Sequence, residues 1–106
     1  MFRLQVLYPH PEDPQHFADH YRNVHLPLAK KLPGVISARF SLDVATANAD
    51  SPYFATFEAD FENEEAMVAA MSSQWGQDVE ADVPNYASGG AVVLTYPMES
   101  LDSIPA

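Results

Sequence analysis

The sequence has no cysteine in its 106 residues, which excludes disulfide bonds, thiolate metal sites and cysteine nucleophiles. This absence agrees with a reducing cytoplasm. The sequence also lacks an apolar run near the ~20 residues of a membrane-spanning helix, and residues 1–5 lack a signal-peptide pattern. We therefore expect a cytoplasmic protein with one domain, because 106 residues are enough for a single modest core.

Basic residues are scarce, with five Lys and Arg against fifteen Asp and Glu, and the net charge is −10. The last basic residue is Arg39, so residues 40–106 carry only acidic charges. Such a chain repels phosphate backbones and anionic lipids, which argues against nucleic acid and membrane partners. The asymmetry has two interpretations: it provides solubility, or the basic segment of one copy faces the acidic segment of another.

Alternating apolar and polar residues predict four strands, at residues 2–8, 35–43, 53–61 and 91–96. In the third strand the alternation places Phe54 with the polar residues, on the face opposite Phe57 and Phe61. We expect residues 45–52 to form a loop because of their composition.

Two helices are predicted between these strands, the first capped by Asp13 and the second by Asn63. We expect Gly76 to end the second helix and residues 77–90 to be irregular. The second helix has one stripe of larger side chains, made of Met67, Ala70, Met71, Gln74 and Trp75. The C-terminal tail from Pro97 is expected to be extended.

The first helix contains a proline that organises the surrounding segment. Spacing at 100° per residue predicts a buried stripe made of Phe17, Tyr21, Val24 and Leu28. Pro27 has no N–H for a helical bond, so regular helix should end near Val24 or His25 and resume at Pro27. His25 would then lie at a break, on the flank of the buried stripe.

The order strand–helix–strand–strand–helix–strand predicts a ferredoxin-like α+β sandwich, with both helices on one face of a four-stranded antiparallel sheet. We assign this domain to residues 1–97 and a tail to residues 98–106. The last strand is apolar on both faces, with Val92, Leu94 and Tyr96 opposite Ala91 and Val93. A solvated sheet face should be more polar, so we expect a second copy to cover it in a homodimer.

One segment resembles the signature of the EthD-like family, which belongs to the dimeric α/β-barrel superfamily. The matching residues are Phe17, Tyr21, Val24-His25-x-Pro27-Leu28-Ala29 and Leu32-Pro33-Gly34. The resemblance implies two ferredoxin-like protomers packed sheet to sheet, each with a ligand cleft between helices and sheet. It also implies a role for the motif histidine, His25. A cysteine that serves a methylmuconolactone isomerase of this group has no counterpart here.

Two groups of residues are candidates for a functional site. His25 could transfer a proton near neutral pH, and Tyr21 lies one helical turn earlier, where it could orient His25 or bind a carbonyl group. Alternatively, His25 only bonds backbone groups at the helix break, and Tyr21 is core. The candidates for binding an apolar ligand are Trp75, Met67, Met71, Phe57 and Tyr86. Met and aromatic residues at helical spacing are also common in cores.

No cofactor is predicted, because phosphate-binding loops, nucleophile elbows and dinucleotide fingerprints are all missing from the sequence. His16 and His20 have a spacing that suits a metal, with His10 and Asp13 upstream, but a firm third ligand is lacking, so we predict no metal site. Heme ligation by His25 is a lower alternative, since related barrels bind heme.

These observations favour a small cofactor-free enzyme, of oxidoreductase or isomerase type, or an accessory protein in a catabolic or aromatic pathway. The site would be an apolar cleft that binds a small hydrophobic or aromatic molecule, with His25 as the proton-transfer residue. The competing hypothesis is a non-catalytic module that carries such a metabolite or binds a partner oxygenase.

Overall fold

A computed structural model describes residues 1–105 of the chain. Its strands are β1 (Phe2–Pro9), β2 (Ser37–Ser41), β3 (Tyr53–Phe61) and β4 (Val92–Pro97). Its α-helices are α1 (Pro14–His20), α2 (Leu26–Ala29), α3 (Glu64–Ser72) and α4 (Gln74–Asp82). A π-helical turn (Tyr21–His25) joins α1 to α2, and short 3₁₀ turns occupy Val83–Asn85 and Leu101–Ser103.

The four strands form one antiparallel sheet in the order β2-β3-β1-β4. The helices cover one face, which confirms the predicted ferredoxin-like sandwich. Strand β3 has the predicted bounds, and β1 and β4 are each within one residue of them. Strand β2 is shorter than predicted, and the tail contains a 3₁₀ turn instead of being extended throughout.

The core lies between the middle strands and α1. Leu4 of β1 is opposite Ala59 of β3, and Val6 is opposite Phe57, so these side chains share the helix-covered face. Phe17 and Tyr21 are fully buried above them. The ring of Tyr8 lies 5.3 Å from that of Phe17 and 5.6 Å from that of Tyr21, both edge to face. Aromatic packing of this kind anchors the helical segment that the sequence singled out.

The prediction that Phe54 points to the outer face is wrong. Tyr8 pairs with Ala55, whereas the next residue, Pro9, pairs with Tyr53, so Phe54 is an extra residue at a bulge. Its ring packs edge to face on Phe17 at 5.0 Å. The bulge therefore adds an aromatic side chain to the core that strict alternation would leave outside.

The helix does not break at Pro27, contrary to the prediction. The N–H of Leu26 bonds to the carbonyl of Tyr21, five residues earlier, and His25 and Leu26 both keep right-handed helical angles. This wider turn accommodates a proline that has no N–H to donate. It also changes which residues are buried: Val24 is 42% exposed, whereas His25 is 4% exposed. The predicted stripe was thus wrong at Val24, and His25 takes its place.

Residues 77–85 are helical, contrary to the prediction, whereas residues 86–90 are irregular as predicted. The Ser73 side chain caps α4 by accepting a hydrogen bond from the N–H of Gly76, so Gly76 lies in the first turn of a new helix and does not end the previous one. A Cβ at this position would overlap the backbone of Met71. Glycine is required here because the two helices approach closely.

The uncovered face of the sheet is more polar than predicted. Arg3 forms an ion pair with Asp60 at 2.8 Å and with Glu58 at 2.7 Å, and hydrogen bonds to Arg3 hold the pKa of Asp60 below its usual value. The apolar part of this face is limited to the β1–β4 side, where Val92 and Leu94 are each 39% exposed. Within residues 1–105, every helix is too short or too polar to cross a membrane.

Candidate active site

A cavity of about 260 Å³ lies between the sheet and the helices. Its floor is formed by β1, β3 and β4, through side chains such as Leu4, Val6, Phe57 and Val93. Its walls come from α2, α3, α4 and the turn that follows, through Ala29, Met67, Met71, Val79 and Val83. The cavity is therefore mainly apolar, as expected for a site that binds small molecules.

His25 lines this cavity from the π-helical turn. Its Nδ1 lies 2.9 Å from Oδ2 of Asp82, and its ring stacks on Tyr21 at 5.3 Å. An ionised carboxylate only accepts hydrogen bonds, so Nδ1 carries the proton and Nε2 carries the lone pair. No hydrogen bond within residues 1–105 engages Nε2. The ring thus presents a basic nitrogen on the cavity side.

The carboxylate of Asp82 is the centre of a partly buried polar cluster. Besides His25, it accepts hydrogen bonds from Nε2 of His20 at 2.8 Å and from Nδ2 of Asn85 at 3.0 Å. Burial alone would raise the pKa of Asp82, but the hydrogen bonds from Asn85, His20 and His25 together outweigh it and keep that pKa below its usual value. Asp82 is therefore ionised at neutral pH and orients His25.

His25 is uncharged at neutral pH. Burial lowers the pKa of His25, because it disfavours the charged ring, and the hydrogen bond to Asp82 offsets this effect only in part. A neutral imidazole with a fixed tautomer is suited to accept a proton from a bound molecule. Asp82 would then stabilise the imidazolium that forms.

A cluster of tyrosines lies behind His25. The hydroxyl groups of Tyr8 and Tyr86 are 2.8 Å apart, and the Tyr86 ring lies 4.7 Å from that of His25. Tyr21 is fully buried, and its hydroxyl has no hydrogen-bond partner among residues 1–105. Burial raises the pKa of Tyr21 and of Tyr86, so both phenols stay protonated. Of the three, only Tyr8 lines the cavity.

Some of the predicted ligand-binding residues line the cavity and others do not. Met67, Met71 and Phe57 line the cavity. Tyr86 lies in the tyrosine cluster beside His25 and is not among the residues that line the cavity. Trp75 is outside the cavity: it is 42% exposed, and the ammonium group of Lys31 lies 4.9 Å from the centre of its ring.

Three residues that belong to or surround the site were not predicted from the sequence: Asp82, Tyr8 and Glu80. Asp82 and Glu80 fell in the segment predicted to be irregular. The sequence does contain a pattern that indicates a helix here. Val79 and Val83 are four residues apart, and Asp82 would lie beside them on the same helical face. Tyr8 was predicted only as the last residue of the first strand, without a functional role.

The histidine pair considered for a metal serves other contacts. Nε2 of His16 is 3.0 Å from the carbonyl of Asn85, and Nε2 of His20 binds Asp82. Both contacts connect α1 to the end of α4. Among residues 1–105, no group of three or more His, Asp or Glu side chains is arranged to hold a metal ion.

Comparisons with known proteins agree with this fold. A profile of the EthD domain matches residues 9–90. A protein of Rhodococcus erythropolis, described as an uncharacterized 11.0 kDa protein in the thcB–thcC intergenic region, is 38% identical over 97 residues, covering 89% of this chain and 91% of that protein. An EthD family protein from Bacillus halodurans C-125 has a structure with a TM-score of 0.86 at 27% identity, covering 93% of this chain and 99% of that chain.

A further likeness concerns the fold alone. A dimeric ferredoxin-like protein from Jannaschia sp. CCS1 gives a TM-score of 0.66 at 18% identity, covering 92% of this chain and 97% of that chain. The family itself rests on the domain profile, which matches most of the chain, and on the Rhodococcus relative, which matches nearly all of it. The chain belongs to the EthD domain family.

Proposed function

We propose that the protein is a small cofactor-free enzyme in which His25, oriented by Asp82, moves a proton on a hydrophobic molecule bound in the cavity. One observation carries this proposal: the His25 ring lines an apolar cavity while its Nδ1 is bonded to a buried carboxylate at 2.9 Å. This arrangement fixes the tautomer and leaves Nε2 for a ligand. A histidine that served only to satisfy the helix would not need this exposure to a cavity.

The proposed step is removal of a proton from an acidic C–H or a phenolic O–H. The proton passes to Nε2, the bond electrons remain on the ligand as an enolate or phenolate, and Asp82 stabilises the imidazolium. Return of the proton to a different carbon completes an isomerisation and regenerates neutral His25. Because no electrons are lost, this route needs no oxidant.

We further propose that the active form is a homodimer in the cytoplasm, joined through the uncovered face of the sheet. The dimeric state described for the Jannaschia protein supports this, since that protein shares the fold. The exposed apolar side chains of β4 also support it. The second candidate, a non-catalytic carrier of a hydrophobic metabolite, would use the same cavity without turnover.

The proton-transfer step can be tested without the natural substrate. 2-Tetralone is an uncharged two-ring ketone with acidic C–H bonds, and NMR follows the replacement of these protons by deuterium in D₂O. We expect the protein to accelerate this exchange and the His25→Asn variant to lose ~10²–10⁴ of the acceleration, the usual contribution of one positioned proton-transfer group. His10→Asn is the control, because His10 lies outside the cavity lining and, among residues 1–105, its side chain hydrogen-bonds only to the carbonyl of Ser51.

Two outcomes would contradict the proposal. If His25→Asn folds and exchanges 2-tetralone protons as fast as the parent protein, His25 is not the base. If 2-tetralone binds but neither protein exchanges its protons faster than buffer, the carrier hypothesis is preferred.

A further inference from the structure

We infer that the cavity selects uncharged ring compounds and rejects anions of the same size. This inference deepens the proposed function, because it concerns the ligand of the same cavity. It depends on the charges that surround the cavity and not on whether His25 is catalytic.

The cavity has no positive side chain in its lining. Of its lining residues within 1–105, the polar ones are Tyr8, His25, Glu80 and Thr95, and none of them is Lys or Arg. His25 is neutral, as argued above, and Glu80 is exposed, so the only formal charge in the lining is negative. The Asp82 carboxylate adds a second negative charge directly behind His25.

The nearest basic residues line a different surface. Lys30 and Arg39 belong to a separate groove beside α2 and β2, which shares Ala29, Leu32 and Phe57 with the cavity. Lys31 lies over the Trp75 ring, outside the cavity. The helix that forms one wall of the cavity, α4, carries Asp78, Glu80 and Asp82 and no basic residue. The formal charges in the cavity lining and directly behind it are therefore negative.

An anion in this cavity would lose its hydration without gaining a positive partner. The loss of hydration is costly for any ionised group, and the two neighbouring carboxylates would add repulsion. An uncharged ligand avoids both costs.

The cavity volume sets the size of the ligand. The cavity measures about 260 Å³. An apolar cavity of about 150 Å³ is enough to bind benzene. The present cavity therefore suits a substituted single ring or two fused rings, with a weakly acidic O–H or C–H placed near Nε2 of His25.

The experiment compares two naphthalene probes of similar size at pH 7 by isothermal titration calorimetry. 2-Naphthol is uncharged, and 2-naphthoate is an anion. We expect 2-naphthol to bind at least ~10-fold more tightly than 2-naphthoate, because the anion loses hydration without gaining an ion-pair partner. Equal or tighter binding of 2-naphthoate would overturn the inference, as would failure of 2-naphthol to bind.

A variant of the rim residue tests the electrostatic cause. Glu80→Gln keeps the side-chain size and removes the charge, so it should raise the affinity for 2-naphthoate relative to that for 2-naphthol. Glu99→Gln makes the same change in net charge in the tail and should leave both affinities unchanged. If both variants raise 2-naphthoate affinity equally, the selection comes from net charge and not from the cavity.

The inference on ligand charge and the proposed function can be rejected independently of each other. If His25→Asn leaves 2-tetralone exchange unchanged while the preference for 2-naphthol persists, the proton-transfer role is wrong and the inference on ligand charge remains. If exchange depends on His25 while 2-naphthoate binds as well as 2-naphthol, the inference on ligand charge is wrong and the proton-transfer role remains.

Discussion

At the residue scale, the contact between His25 and Asp82 determines the properties of the site. The hydrogen bond from Nδ1 selects the tautomer that leaves Nε2 as a base, and burial keeps the ring neutral. His20 and Asn85 hold the carboxylate from its other oxygen. These four side chains come from α1, the π-helical turn, α4 and the turn after it, so the site depends on how these helical segments pack.

Replacing Asp82 with Asn should lower the pKa of His25 further. The carboxylate acts to raise that pKa, and an amide of the same shape removes its charge. NMR titration of the His25 ring measures the change, and the exchange of 2-tetralone protons should slow in the same variant because the imidazolium is no longer stabilised. Asp78→Asn, on the same helix but outside this cluster, is the control. An unchanged or higher His25 pKa in Asp82→Asn would contradict the role assigned to the carboxylate.

The stability of the protein should fall as the pH is lowered below about 6.5, the ordinary pKa of histidine. The pKa of His25 is lower in the folded state than in the unfolded chain, so the unfolded chain binds the proton first and acid favours unfolding. Asp82 and Asp60, whose pKa values are also lowered, contribute in the same direction only at more acidic pH.

Urea unfolding at pH 7.5 and 5.5 measures this effect. The loss of unfolding free energy between the two pH values should be smaller in His25→Asn, because asparagine does not titrate. An equal loss in both proteins would show that His25 is not the responsible group.

At the element scale, two local features of the backbone determine where the site residues lie. The π-helical turn carries His25 onto the buried face, and the tight junction between α3 and α4 allows α4 to lie against the cavity. Gly76 is essential to that junction, because a Cβ there would overlap the backbone of Met71.

Gly76→Ala should therefore destabilise the protein by ~1–3 kcal/mol, the usual cost of forcing an extra carbon into a packed position. In an ordinary helix the same substitution would stabilise, because alanine has the higher helix propensity. Urea unfolding distinguishes the two signs, and Gln74→Ala, on the exposed side of the same helical turn, is the control. A stabilised Gly76→Ala variant would mean that α3 and α4 can separate without loss.

At the scale of the whole molecule, the uncovered sheet face should join two copies. We expect sedimentation to show a dimer at micromolar concentration, with an interface of ~2,000 Å² or more. Leu94→Glu places a charge on the apolar part of this face and should shift the protein towards monomer. Val68→Glu, at an exposed position on α3, should leave the dimer intact. A parent protein that sediments as an 11.7 kDa monomer would contradict the proposed assembly.

The fold and the segment that carries the site follow from local signals in the sequence. The alternating strands, the caps Asp13 and Asn63, and the order of elements are local signals, and the structure agrees with them. The motif around His25 was sufficient to predict the family. These features could be predicted because each depends on residues that are close together along the chain.

The geometry of the site depends on tertiary contacts between segments that are distant in sequence. Whether Pro27 breaks a helix or is absorbed by a π-helical turn depends on the packing of Tyr21 and His25 against the sheet, which no local pattern encodes. Asp82 meets His25 across 57 positions of sequence, and Phe54 enters the core only because β1 and β3 pair with a bulge. Contacts between distant segments thus determined which residues share the cavity. A sequence pattern predicts which face of a helix or strand is apolar, but it does not predict which of these faces pack together.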